Sequence, residues 1–111
     1  MKIAIPVKPL SVNQVWQGRR FKTPAYKAFE EEVLYFLRGK KFKKTKGPLE
    51  VYYVFSLKNH KRTDYDNLIK PLQDILVKAG LIADDRLIYR AVVEKRGALR
   101  DSIEVQIKPY V

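Results

Sequence analysis

From Lys61 to Lys70 the chain reads "KRTDYDNLIK", with Asp64 and Asp66 one residue apart between a basic pair and the start of an apolar run. Five of the six aspartates, namely Asp64, Asp66, Asp74, Asp84 and Asp85, fall between positions 64 and 85. Each has an ordinary structural explanation. Asp66 or Asn67 would cap a helix, Asp74 would pair with Lys70 or Lys78 one turn away, and Asp84 with Asp85 would make a turn. The set fits that explanation less well than its members do. If extended backbone runs through positions 64 to 66, both carboxylates point to one side, and like charges so close repel unless a cation lies between them. Hard oxygen donors select Mg²⁺, with Mn²⁺ as a substitute, and Mg²⁺ is held by one or two protein carboxylates, waters and phosphate oxygens. An ion placed there polarises a phosphodiester and lowers the pKa of an attacking water. D-x-D alone is a weak signal, found also in sugar-nucleotide transferases and in turns. A calcium loop of the EF-hand kind is disfavoured, because Ile69 stands where that loop needs glycine.

The elements that must position these residues are read from periodicity. Lys2 to Val7 forms a short strand, stopped by Pro6 and Pro9 and suited to a sheet edge. The stretch "PLSVNQVWQGRRFK" has neither helical nor strand period and reads as a loop, with Trp16 expected in the core or at an interface. Thr23 and Pro24 start a helix as N-cap and first helical residue; Tyr26, Phe29, Val33, Phe36 and Leu37 give its apolar stripe, and Gly39 ends it. Leu49 to Leu57 alternates as a strand. A second helix begins near Asp66 or Asn67, tolerates Pro71 in its first turn and ends at Gly80. Two strands, Leu87 to Glu94 and Ser102 to Lys108, close the chain as a hairpin with Gly97 in the turn. The order β-α-β-α-β-β predicts a single α+β domain over residues 1–111, a mixed sheet with two helices.

Composition narrows the partners. The 23 Lys and Arg against 12 Asp and Glu leave a net charge of +11, which favours a polyanion, most often nucleic acid. Without cysteine there is no disulfide, thiolate metal site or cysteine nucleophile, and the single histidine, His60, cannot build a histidine cage. No apolar run spans a bilayer and proline breaks the N-terminal segment, so the expectation is a soluble, cytoplasmic, nucleoid-associated protein without a membrane partner. The scarcity of Asn and Gln and the abundance of Lys and Glu are those of a heat-adapted protein.

Three motifs, "PLSVNQVW" (9–16), "KRTDYDNLIKPLQDIL" (61–76) and "AGLIADDRLI" (79–88), together resemble the RusA-type Holliday junction resolvases of bacteria and phages, in that family's order and approximate spacing. The resemblance covers most of the chain. It implies that Asp64, Asp66 and Asp85 are the catalytic, metal-binding acids, that Lys70 is the catalytic lysine and that Asp84 is a further metal candidate. Asn67 would position the second acid or touch substrate, and Arg62 would be a basic substrate contact. It further implies a Mg²⁺-dependent homodimer that nicks two strands of a four-way junction symmetrically in recombination and repair, with no small-molecule cofactor. Tyr65 departs from the aliphatic residue familiar between the acids, at a variable position.

Arg19, Arg20, Lys61, Arg62 and the lysine-rich loop with Lys40, Lys41, Lys43 and Lys44 would grip DNA phosphates without reading sequence; Ser11 and Asn13 are further phosphate-contact candidates. A helix from about Asn67 to Ala79 is roughly 20 Å long, and the segment to Asp85 spans about that length fully extended. Asp85 then reaches Asp64 of the same chain only by running straight back, and otherwise a two-fold mate completes each site. The rival reading is a non-catalytic, basic nucleic-acid-binding protein in which the aspartates are caps and ion pairs. A metal-dependent transferase ranks third, for want of a glycine-rich nucleotide loop.

Overall fold

The computed structural model describes residues 1–18, 21–40 and 47–111. Its elements in chain order are β1 (Lys2–Ile5), a 3₁₀ turn at Val12–Gln14, β2 (Trp16–Gln17), β3 (Phe21–Lys22), α1 (Pro24–Leu37), β4 (Leu49–Leu57), α2 (Ile69–Lys78), β5 (Ile88–Gly97) and β6 (Ser102–Pro109). The class is the expected one, two helices on a mixed sheet, with strand order β1-β6-β4-β5.

β4 keeps strict alternation over nine residues, and its buried positions, Leu49, Val51, Tyr53, Phe55 and Leu57, face the helices. Ile3 and Ile5 of β1 and Ile103, Val105 and Ile107 of β6 continue the same buried face. α1 starts as its sequence dictates: the Thr23 hydroxyl accepts the Tyr26 N–H and Pro24 follows it. α2 lays Leu72, Ile75 and Leu76, all fully buried, on the sheet, and the buried Tyr53 hydroxyl donates 2.9 Å to Gln73 Oε1.

Three expectations give way. The stretch from Pro9 to Lys22 is not a plain loop, since it holds a 3₁₀ turn and the short β2–β3 ladder. Trp16 is not in the core: it is half exposed, with Lys22 Nζ 4.1 Å from its ring centroid. Nor do β5 and β6 form a hairpin. β5 pairs parallel with one edge of β4 and β6 antiparallel with the other, so residues 98–101 arch over the C-terminal end of β4. The Ala98 N–H donates to Leu57 O and the Lys58 N–H to Asp101 Oδ1, both at 3.0 Å, filling hydrogen bonds that a hairpin turn would have kept within itself. Gly97 is therefore the last residue of β5 and no part of a turn.

Candidate active site

β4 delivers the chain through Lys58 to a pair of 3₁₀ turns, His60–Arg62 and Tyr65–Leu68, the second running straight into α2. Asp64 is extended, but the turn begins at Tyr65 and the Asn67 N–H bonds back to Asp64 O at 3.3 Å. The pleat expected to set Asp64 and Asp66 on one side is therefore absent; a tight turn keeps them close instead. α2 proper starts at Ile69 with Leu68 as its N-cap, so neither Asp66 nor Asn67 caps it, and Asp64 makes no cap bond from its side chain. Both carboxylates are exposed, and among the described residues neither enters an ion pair. Pro71, buried in the first turn of α2, has no N–H to lose there.

Lys70 sits on that same first turn. Its Nζ lies 2.8 Å from Asp74 and 3.7 Å from Asp85. The bond to Asp74, ahead of any other influence, raises the Lys70 pKa and keeps it a cation. Asp85 arrives in the same chain because α2 is short, about 15 Å, and reverses at once. Gly80 takes φ +84°, the Leu81 N–H bonds back to Leu76 O at 3.0 Å, and fully buried Ile82 anchors the return. The Lys70–Asp85 approach thus needs no second subunit.

The neighbouring aspartates divide sharply. Asp84 accepts from the Arg86 N–H at 2.9 Å and takes both Nε and Nη2 of the Arg86 guanidinium, which holds its carboxyl down at about 2. It caps the 3₁₀ turn Asp85–Leu87. Asp85, next in the chain, touches only Lys70 among the ion pairs described.

The segment before Asp64 is held down on β5. Lys95 Nζ donates 2.7 Å to the Thr63 carbonyl, one residue ahead of Asp64. The His60 ring lies against Gly97, so close that a Cβ there would come within 2.6 Å of His60 Cε1. The alternation of β5 puts both anchors on the helix-bearing face, beside Phe55 and Leu57. Sequence reasoning passed over Lys95, set His60 aside as a lone histidine and put Gly97 in a turn, for no motif marks them as anchors; only the pairing of β5 with β4 brings them under the turns.

Lys61 and Arg62 are exposed beside the acids, Asn67 is half-buried, and Lys40 lies exposed beyond α1. Ser11 accepts the Asn13 N–H at 3.3 Å within the 3₁₀ turn that follows β1. Arg19, Arg20, Lys41, Lys43 and Lys44 lie outside the described residues.

For a divalent ion the donor chemistry fits: Asp64 and Asp66 offer hard, exposed carboxylate oxygens that enter no ion pair among the described residues. Among the described residues no group of three or more His, Asp or Glu is placed to hold a metal ion.

A family model described as endodeoxyribonuclease RusA matches residues 6–108. The chain belongs to the RusA family. The crossover junction endodeoxyribonuclease RusA of Aquifex aeolicus (strain VF5) is similar to it, 30% identical over 95 residues that cover 84% of this chain and 75% of that protein. The RusA match takes in every residue placed at this site, from Ser11 to Gly97. No helix among the described residues is long and apolar enough to cross a membrane.

Proposed function

We propose that this RusA-family chain is a cytoplasmic, homodimeric endodeoxyribonuclease that resolves four-way DNA junctions by Mg²⁺-dependent, symmetric hydrolysis in recombination and repair. The observation that carries this reading is the pair Asp64 and Asp66, exposed and, among the described residues, committed to no side-chain cap bond or ion pair, beside a lysine and an aspartate that already face each other.

In this reading Asp64 and Asp66 would hold the ion at the start of the 3₁₀ turn Tyr65–Leu68 and Asp85 would complete the set from beyond α2. Bound there, Mg²⁺ would polarise the scissile phosphate and lower the pKa of the attacking water. Lys70, kept protonated by Asp74, stabilises negative charge that develops on the phosphorus oxygens; a permanently charged lysine is suited to that task and not to accepting a proton. Asp84, spent on Arg86, shapes the turn that presents Asp85. Lys61, Arg62 and Lys40 bind the phosphate backbone, and Asn67 steadies Asp66. The whole chain serves as one RusA domain. Two copies related by a two-fold axis would match the approximate two-fold symmetry of a four-way junction and cut opposing strands alike.

The test is incubation of the protein with labelled four-way junction and with duplex of the same sequence, with and without Mg²⁺. Paired nicks in the junction alone, dependent on Mg²⁺, are expected. Equal cutting of duplex would reduce the protein to a general nuclease. Tight junction binding without cleavage, undiminished in Asp64→Asn and Asp66→Asn, would make it a binding protein only.

A further inference from the structure

Between the N-terminal turn and the active-site segment lies a cavity of about 170 Å³ whose lining shares only Arg62 with the roles assigned above. Pro9, Leu57 and Leu68 give it apolar surface, while Lys8, Ser11, Asn59, Arg62, Thr63 and Asp101 bring polar groups to it. Thr63 immediately precedes Asp64, so the cavity adjoins the proposed metal site.

Its walls are fixed by bonds made without any ligand. Ser11 and Gln14 form a reciprocal capping box. The Asn59 carbonyl accepts the Arg62 N–H at 3.1 Å and the Thr63 hydroxyl at 3.2 Å. Asp101 Oδ1 accepts the Lys58 N–H, which pins the β5–β6 arch over the end of β4. The Asn59 side chain makes no cap bond of its own.

Size and charge together select the occupant. The volume far exceeds the roughly 10–15 Å³ that one water needs. A phosphate would meet the Asp101 carboxylate, which repels it, and one carboxylate among two cations is no cation site. Donors (Lys8, Arg62, the Asn59 amide), an acceptor (Asp101) and apolar surface lining one cavity suit the edge and face of a planar base, which carries both amino groups and carbonyls. Extruding a base costs a few kcal/mol, and least where it is already unpaired.

We infer that this cavity is a subsite for one nucleobase of the DNA, extruded from the nucleotide next to the cleaved phosphodiester and read by Asp101 and Asn59. The inference rests on the junction-nuclease reading and names the part of the substrate that reading leaves unplaced.

The experiment measures single-turnover cleavage of four-way junctions that carry each of the four bases, or an abasic residue, on either side of the cut. Wild type should cut its preferred base about tenfold or more faster than the abasic junction, the discrimination that one well-placed pair of hydrogen bonds gives. Asp101→Asn keeps the oxygen that accepts from Lys58 but turns the other into a donor, and should reorder the four bases. Asn59→Ala keeps the carbonyl bonds of its turn and should shrink the ratio of preferred base to abasic. If wild type cuts the abasic junction as fast as all four bases, or both variants keep its order and ratios, the subsite is overturned while the nuclease reading stands. If wild type cuts no junction at all, both fall together.

Discussion

At its C-terminal end α2 sends Lys78 2.9 Å to Glu30 of α1. There the Tyr26 hydroxyl, bonded to the same Glu30, is pushed up to about 12, by burial first and by Glu30 second. At the other end Lys70 stands between Asp74 and Asp85, with Asp64 and Asp66 exposed beside it and without ion partners among the described residues. Both ends gather acids around a helix lysine, but one network is closed and joins two helices, whereas the other leaves negative charge over in a chain of net charge +11. In the proposed reading the charge left open at this end is the charge that a metal ion would meet.

The strongest way to break the contrast is to remove the leftover charge. Asp64→Asn and Asp66→Asn keep shape and should lower Mg²⁺-dependent junction cleavage by about 10²–10³-fold, the cost of losing one electrostatic contribution to the transition state. Folding should not suffer, because neither side chain holds a bond in the described structure; thermal unfolding of each variant should match wild type or rise slightly as repulsion is relieved. A drop in melting temperature that tracked the lost activity would return both residues to structural roles.

Asp84 and Asp85 reproduce the contrast within one dipeptide. Asp85→Asn should lower cleavage by about 10–10²-fold, as for a group that braces a metal site and its lysine. Asp84→Asn should leave cleavage within a few-fold, since its carboxylate is occupied by Arg86. Equal losses in single-turnover assays would place Asp84 on the metal as well.

Gly97 tests how the open end is held in place. Gly97→Ala sets a Cβ 2.6 Å from Cε1 of the half-buried His60 ring, so the ring must shift, and overpacking of this kind costs about 1–3 kcal/mol. Cleavage should fall several-fold because His60 lies four residues from Asp64. Adding His60→Ala removes the obstacle and should restore cleavage toward the level of His60→Ala alone. If the double variant is no better than Gly97→Ala, the glycine serves the backbone and not the ring.

These residues also mark where the sequence could be read and where it could not. α1 and β4 were legible to the residue or nearly so, because Thr23, Pro24 and the strict alternation of 49–57 act within one turn or one strand. Asp64, Asp66, Asp85 and Lys70 were legible as types and spacing. Their geometry was not, since the 3₁₀ turn at Tyr65–Leu68 depends on how Leu68 and Pro71 bury against the sheet. Gly97 suggested a turn, as glycine usually does, yet it is absent from the positive-φ glycines. Its reason is a neighbour 37 positions earlier in the chain, reached only once β5 lies beside β4 and β6 is sent to the far side. Pairing of that range leaves no local signature.

The smallest effect belongs to the closed end, and its sign follows from Glu30. The ammonium of Lys78, bonded to it, holds the Glu30 carboxyl below its ordinary 4.5 in spite of partial burial. A carboxyl depressed on folding adds stability that is fully present above its unfolded value and is lost as pH falls through the lower folded one. Glu30→Gln should therefore destabilise by about 0.5–1 kcal/mol near neutral pH, as for a largely exposed ion pair. The gap to wild type should close as pH drops below about 4.5, and beneath that window the two proteins should unfold alike. Asp84, held at about 2 by Arg86, keeps an acid-dependent loss in both proteins at lower pH. A gap that stayed constant from pH 7 to pH 2 would show Glu30 acting through packing, and the closed end would then owe its closure to shape and not to charge.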